Sequence, residues 1–389
     1  MAIAAAAPTS DTERSIRVMI VDDALVVRGI VSRWLQEEPG IEVVATHRSA
    51  KNALEDLLRT APDVVVLDIE MPDMDGVTAL PLLLEKKPDI SVIIASTLTR
   101  RNAELSIRCL NLGATDCLAK PQTSGEMTST ADFRRELTSR IRALGSRAVS
   151  RRRTIVPAKT DAPVRAPAPA VTKSKPDFSF AKRSSEPPKL RKFSTSVPRA
   201  LVVGSSTGGP QALAVFFAGV KPILSRVPVL VTQHMPPSFT TILAEHIGRV
   251  TGTTCHEPVD GEAVRAGVIY IAPGGHHMKV ATGPNGPVIR ITDDPPVNFC
   301  KPAVDPLFQS ALQVWGASLA AVVLTGMGAD GARGGLAIAD AGGTVIAQDE
   351  ETSVVWGMPG ATAQAGACAA ILPLPEIAPR VVNLILGTR

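Results

Sequence analysis

The sequence predicts an α/β protein made of two doubly wound parallel-sheet domains joined by a disordered linker. Three observations carry that prediction. In both halves of the chain, short apolar runs alternate with helix-length amphipathic stretches, the pattern of a βαβ succession. The runs are continuously apolar rather than alternating, as parallel strands covered on both faces require. Between the halves lies a basic, Pro-rich strip that cannot bury enough apolar surface to offset its chain entropy. The length of 389 residues agrees, since about 150 residues per domain gives two or three domains.

Taken in order, residues 1–14 read as a flexible tail. Ala2–Ala7 is Ala-rich but has no positive n-region, so it does not read as a signal peptide. The first domain is expected over residues 15–146. Val18–Val21, Val64–Leu67 and Ile90–Ala95 are its clearest strands, with a further one around Cys117–Ala119. Ala24–Gln36 is an amphipathic helix whose Leu25, Ile30, Val31, Trp34 and Leu35 are spaced for one buried face. Residues 147–197 are the expected linker, in a basic strip with eight prolines from Pro157 to Pro198, the last just past its end. Its Phe178, Phe180 and Phe193 are candidates for transient docking on a neighbouring domain. The second domain is expected over 198–389, with strands at Ala200–Val203, Val229–Thr232, Val268–Ile271, Leu319–Leu324 and Thr344–Ala347.

Composition excludes several classes. No apolar run reaches the roughly 18 residues of a membrane-spanning helix, so no membrane insertion is expected. Five scattered cysteines without a CxxC argue against a disulfide scaffold or zinc module and for a reducing, cytoplasmic setting. The net charge of +4 is misleading as a whole-chain figure. From Arg147 to Arg199 there are 14 Lys+Arg and 3 Asp+Glu, a net of +11, which leaves −7 for the rest. The basic balance thus belongs to the linker, and no nucleic-acid partner is expected. Oligomeric state is read as a monomer.

In parallel sheets, active groups gather beyond the carboxyl ends of strands. Asp22-Asp23 follow the first strand and Asp68 ends the Val64–Leu67 run. Three carboxylates at one edge repel unless a cation sits among them, and an all-oxygen set suits Mg²⁺. Ser96 ends another strand and Lys120 precedes Pro121. Their hydroxyl and ammonium would bind the oxygens of a phosphoryl group on Asp68.

In the second domain, Gly204-Ser205-Ser206-Thr207-Gly208-Gly209-Pro210 follows the first strand. The spacing is not that of a dinucleotide fingerprint. Gly204-x-Ser206-x-Gly208 fits a nucleophile elbow; the competing reading is a tight turn with a serine cap. A serine nucleophile needs a base, and the base an orienting carboxylate. His234 stands at a strand end before Met235-Pro-Pro and is the best candidate base, ahead of His276-His277. His47 lies off the first domain's catalytic edge, His246 reads as a helix residue, and His256 has no evident partner. Asp330, in Thr325-Gly-Met-Gly-Ala-Asp-Gly331, is the leading carboxylate, with Asp293, Asp294 and Asp305 as rivals in Pro-rich loops.

The ordered set Asp-Asp, Asp, Ser, Lys-Pro, with Asp68-Ile-Glu-Met-Pro-Asp-Met-Asp-Gly76, resembles the receiver domain of bacterial response regulators. The resemblance implies a flavodoxin-like domain in which Asp68 accepts phosphate from a histidine kinase. It also implies that Asp22 and Asp23 hold Mg²⁺ with Asp68, and that Ser96 and Lys120 form the switch. Cys117 stands where that family usually carries an aromatic switch residue. Downstream, Gly204–Pro210, Gln233-His-Met-Pro-Pro237, Ala272-Pro-Gly-Gly-His276 and Leu324–Gly331 together resemble the catalytic domain of CheB-type chemotaxis methylesterases. That resemblance implies Ser206 as nucleophile, His234 as base and Asp330 as orienting acid, with Thr207 and Met327 supporting the oxyanion. It implies a phosphorylation-activated protein-glutamate methylesterase acting on methyl-accepting chemoreceptors, with glutamine deamidase activity and no cofactor for the ester reaction. The competing classes are a DNA-binding response regulator, for which no helical reading module follows the linker, and a scaffold with an inactive output domain.

Overall fold

The computed structural model describes residues 15–121, 127–155 and 188–388. The first domain is a five-stranded sheet in the order β2-β1-β3-β4-β5, the flavodoxin-like order. Its strands are β1 (Ile16–Val21), β2 (Ile41–His47), β3 (Val64–Asp68), β4 (Ser91–Ser96) and β5 (Asp116–Ala119), with every pairing parallel. Helices α1 (Leu25–Gln36), α2 (Ala50–Thr60), α3 (Gly76–Lys86), α4 (Arg100–Asn111) and α5 (Met127–Ile155) connect and cover them. The continuous apolar runs are the central strands: Val64–Asp68 is buried throughout. Strand β2 escaped the sequence reading because it lies at the edge and is only partly buried. The expected one-faced pattern of α1 is corrected as well. Val31 and Leu35 are buried, while Leu25 and Ile30 are exposed at 74% and 42%.

The second domain is a seven-stranded sheet in the order β14-β13-β12-β6-β7-β9-β8. Its strands are β6 (Ala200–Ser205), β7 (Val229–Gln233), β8 (Thr254–His256), β9 (Val268–Ile271), β12 (Leu319–Val323), β13 (Thr344–Gln348) and β14 (Ala370–Leu372). All of these pairings are parallel. An antiparallel hairpin, β10 (His277–Gly283) and β11 (Gly286–Thr292), stands apart from the sheet. Helices α6 (Gly209–Val220), α7 (Phe239–Thr251), α8 (Val304–Trp315), α9 (Ala332–Asp340), α10 (Met358–Gln364) and α11 (Leu374–Leu386) complete the domain. Strand β6 sits mid-sheet between β12 and β7, so the strand order reverses beside it. That is the switch point where open α/β sheets place their sites.

The segment between the domains differs from expectation at both ends. Helix α5 runs through the expected boundary at residue 146 to Ile155. At the other end, residues 188–197 lie on the second domain. Arg191 donates its N–H to the Cys368 carbonyl at 2.9 Å and pairs with Asp340 at 2.7 Å. Phe193 packs on the core under the Arg380 guanidinium. Phe178, Phe180 and the rest of the expected linker lie outside the described residues.

The domains meet where α4 packs against α6 and α7. Buried residues of both sheets form one connected apolar set across this junction. Gln211 donates to the Ala114 carbonyl at 2.6 Å, and Arg100 pairs with Glu245 at 2.6 Å. A second contact is made by α5, whose Ser139 hydroxyl donates to the Met327 sulfur at 3.0 Å. Among the described residues, no helix is long and apolar enough to cross a membrane.

Candidate functional sites in the two domains

The acidic edge of the first domain forms as the strand ends align. Asp22 follows β1 and Asp68 ends β3, which pairs with β1 in parallel. Ligand oxygens of Asp22, Asp23 and Asp68 lie within 4.8 Å of one another. Asp22 and Asp68 are buried, and Asp23 is exposed. Lys120 reaches between the two buried ones, 2.7 Å from each. Burial pushes the Asp68 carboxyl above its usual range; Lys120 pulls it down and Asp22 pushes it up again. The Ile69 N–H fixes one Asp68 oxygen at 2.8 Å. Gly76 is required here, because a Cβ would fall 2.3 Å from the Asp68 carbonyl oxygen. A hard all-oxygen cluster with one oxygen-binding ammonium fits Mg²⁺ and a phosphoryl group.

Ser96 is the one predicted member that does not face this edge. Its hydroxyl shares a 2.9 Å hydrogen bond with Ser106 of α4, both groups being buried. Cys117 is buried in β5, where burial pushes its thiol far up. The buried Arg140 of α5 donates to its carbonyl and pairs with Asp116 and Glu136.

In the second domain, Ser205 of β6 pairs with Gln233 of β7 in the sheet register, so Ser206 and His234 follow side by side. Ser206 is 6% exposed. The turn is tight: Gly208 has φ +73°, and a Cβ on Gly209 would collide with the Gln233 amide. Gln233 is the organiser that the sequence reading overlooked, although it stands in a quoted block. Its Oε1 accepts from Ser205, and its Nε2 donates to the Ser206 carbonyl at 2.9 Å. In a trans peptide the N–H points opposite the C=O. Fixing the Ser206 carbonyl on Gln233 therefore turns the Thr207 N–H the other way. The Thr207 hydroxyl is buried without a partner.

His234 and Asp330 meet: Nε2 is 2.8 Å from Asp330 Oδ2. The carboxylate is otherwise saturated by backbone N–H groups, Val304 at 2.6 Å and Asp305 at 3.0 Å, with Gly331 at 3.0 Å. Burial opposes its charge, yet His234 and these donors hold Asp330 below the ordinary carboxylate range. For His234, burial disfavours the imidazolium. The neighbouring Cys300 sulfur and Asp330 favour it more strongly, and the ring stands above the ordinary histidine value. Among the described residues no hydrogen bond joins Ser206 to the ring, a looseness common in ligand-free sites.

The rivals separate cleanly. Asp293 and Asp294 are exposed and pair with Lys301 and Lys279. Asp305 is not a solvated loop residue as expected. It is buried, and its Oδ1 accepts from Gly331 at 3.1 Å and Gly334 at 2.8 Å, capping α9 from outside. His276 pairs with Asp293. His277 is buried and accepts from the Ala303 N–H, a structural post. His256, expected to lack a partner, pairs with Glu262 at 2.8 Å. His47 pairs with Asp56, and His246 is half-buried on α7 facing α4. Met327 follows β12, and Gly326 before it admits no side chain, since a Cβ would lie 2.8 Å from Ser206 Cβ.

Comparison with known proteins identifies both domains. Residues 201–381 match the family described as CheB methylesterase, and residues 18–132 match the response regulator receiver domain. A protein-glutamate methylesterase/protein-glutamine glutaminase of the group 2 operon from Rhodopseudomonas palustris is 54% identical, covering 96% of this chain and 95% of that one. A protein-glutamate methylesterase/protein-glutamine glutaminase of Nitrobacter hamburgensis is 53% identical over 98% of this chain and 97% of its own. One from Rhodospirillum rubrum is 52% identical over 95% of each. Near-complete coverage at this identity, over a receiver edge and a Ser-His-Asp cluster on two parallel sheets, means that the chain belongs to the CheB family of receiver-linked protein-glutamate methylesterases.

Proposed function

We propose that the protein is a phosphorylation-activated serine hydrolase that demethylates glutamyl γ-methyl esters on chemoreceptors and deamidates receptor glutamines. In this reading residues 198–389 are the hydrolase unit and 15–146 the receiver. The observation that carries it is the 2.8 Å His234–Asp330 contact beside a serine on a glycine turn. The relatives, named protein-glutamate methylesterase/protein-glutamine glutaminase, support the substrate class of protein glutamyl esters and glutamines.

Ser206 Oγ attacks the ester carbonyl while His234 takes its proton. Asp330, fixed by backbone N–H groups, orients the ring and stabilises its positive charge. The oxyanion is held by the Thr207 N–H and by the Met327 loop. The C–O bond breaks, His234 returns the proton, and methanol leaves. Water then attacks the acyl-enzyme by the same route and releases a glutamate carboxylate. With glutamine the leaving group is ammonia.

In the receiver, Asp22, Asp23 and Asp68 would hold Mg²⁺, which neutralises charge at the phosphorylated edge. Asp68 would accept the phosphoryl group from a kinase phosphohistidine, with Lys120 on its oxygens. Ser96 would turn from Ser106 toward the phosphoryl group. Helix α5, in contact with Met327, and α4, packed on α6 and α7, transmit the change. Coupling of this kind is typically about 5–150-fold in affinity.

Ser206→Ala should abolish methanol release from methyl-labelled receptor. Asp68→Ala should keep the unstimulated rate and lose stimulation by a small phosphodonor. Methanol release by the serine variant, or stimulation in the aspartate variant, would overturn the assignment.

A further inference from the structure

The tip of the loop leading into α8 has no role in the chemistry above, yet its conformation is costly. Val297 and Cys300 exchange backbone hydrogen bonds at 3.1 and 2.9 Å, closing a four-residue turn. Its central residues, Asn298 and Phe299, have φ of +51° and +64°. A turn with two left-handed central residues prefers Asn-Gly. A phenylalanine in the second place is strained where glycine would be free, and such strain clusters at functional positions. The ring is also 64% exposed.

The place of the turn gives the strain a meaning. Cys300 is near enough to His234 to favour the charged form of its ring. Four residues later the chain supplies the Val304 N–H to Asp330. Phe299 therefore stands at the rim of the hydrolase site, held there by backbone that also builds the site. Across the rim is α5 of the receiver. The Arg135 guanidinium lies over the Phe299 ring at 4.6 Å from its centroid. One turn further along the helix, Ser139 touches Met327.

We propose that Phe299 is a specificity residue that grips the polypeptide flanking the esterified glutamyl side chain, and that Arg135 of the receiver competes with that polypeptide for the ring. This rests on the function proposed above. The occupant is protein because a γ-methyl ester fills only the space at Ser206 and His234. A ring one residue beyond the base is placed to meet the neighbouring chain. An exposed aromatic anchor of this kind is a usual source of interface affinity. A guanidinium on its face masks it while the receiver is docked.

The test uses the purified full chain, activated by a small phosphodonor, on two substrates: methyl-labelled receptor in membranes and a capped glutamate γ-methyl ester. Phe299→Gly keeps the left-handed turn and removes the ring. The ratio of kcat/KM for receptor over small ester should fall about tenfold, mostly through KM. An unchanged ratio overturns the proposal. Phe299→Leu should fall between the two. Arg135→Ala should raise the unstimulated rate on receptor several-fold; no rise overturns the competition. If the wild-type protein releases methanol from neither substrate, the function reading fails instead.

Discussion

At the scale of single residues, His234 carries the most information. A general base must be neutral to accept the Ser206 proton, and the imidazole here is biased toward its charged form. Asp330 provides part of that bias and Cys300 another part, against the opposing effect of burial. Raising the pKa of a base moves its working limb to higher pH. The kcat/KM profile on a small ester should therefore rise with pH through a midpoint above the ordinary histidine value of about 6.5. Cys300→Ala removes a group that favours imidazolium, so the rising limb should move toward lower pH. A limb that stays in place in that variant would show that the sulfur does not act on the ring. His234 and Asp330, which the fold brings together, were legible in the sequence because each lies in a glycine- or proline-fixed loop after an apolar strand run. Cys300 was invisible for the opposite reason. It follows no strand run, and only folding brings the 297–304 loop against His234.

At the scale of elements, the loops on either side of α9 and α8 support each other. Asp330, ahead of α9, binds the N–H groups of Val304 and Asp305 at the start of α8. Asp305 answers by binding Gly331 and Gly334 at the start of α9. Two helix N-termini thus exchange carboxylate caps, and each capping charge lies at the positive end of the other helix. Asp305→Ala would take the carboxylate acceptor from the buried Gly334 N–H, while Gly331 keeps Asp330, at a cost of about 1–3 kcal/mol. A thermal melt should show a lower midpoint for the hydrolase domain, and activity should fall because Asp330 loses its frame. A variant with the wild-type midpoint and rate would refute the reciprocal cap. Strand-and-helix periodicity revealed the central elements well, since β6, β7, β12 and β13 are buried along their whole length. It missed β8, β14 and the β10–β11 hairpin. The first two are three residues long, and the hairpin strands are only partly covered.

At the scale of the whole molecule, the receiver and the hydrolase share a continuous apolar junction under α4. The Arg100–Glu245 pair is exposed and screened by solvent, so it adds little and docking rests on burial. Composition pointed instead to the +11 linker, because charge counts cannot reveal which faces will meet. Ile107 and Leu110 of α4 are buried in the apolar set shared by the two sheets. With Cys117 in place of an aromatic switch residue, the Ser96–Ser106 bond is one direct contact between the phosphorylation edge and α4, beside those of Asn102 with Glu70 and Thr97. Phosphorylation of Asp68 would draw the Ser96 hydroxyl away and leave Ser106 alone in α4. Ser106→Ala removes the bond in advance. A neutral hydroxyl pair contributes about 0.5–1.5 kcal/mol, so the unphosphorylated enzyme should hydrolyse receptor esters roughly 2–12-fold faster, with a smaller further response to phosphodonor. Global destabilisation alone would lower both rates. An unstimulated rate that does not rise in Ser106→Ala would mean that α4 is released by some contact other than the serine pair.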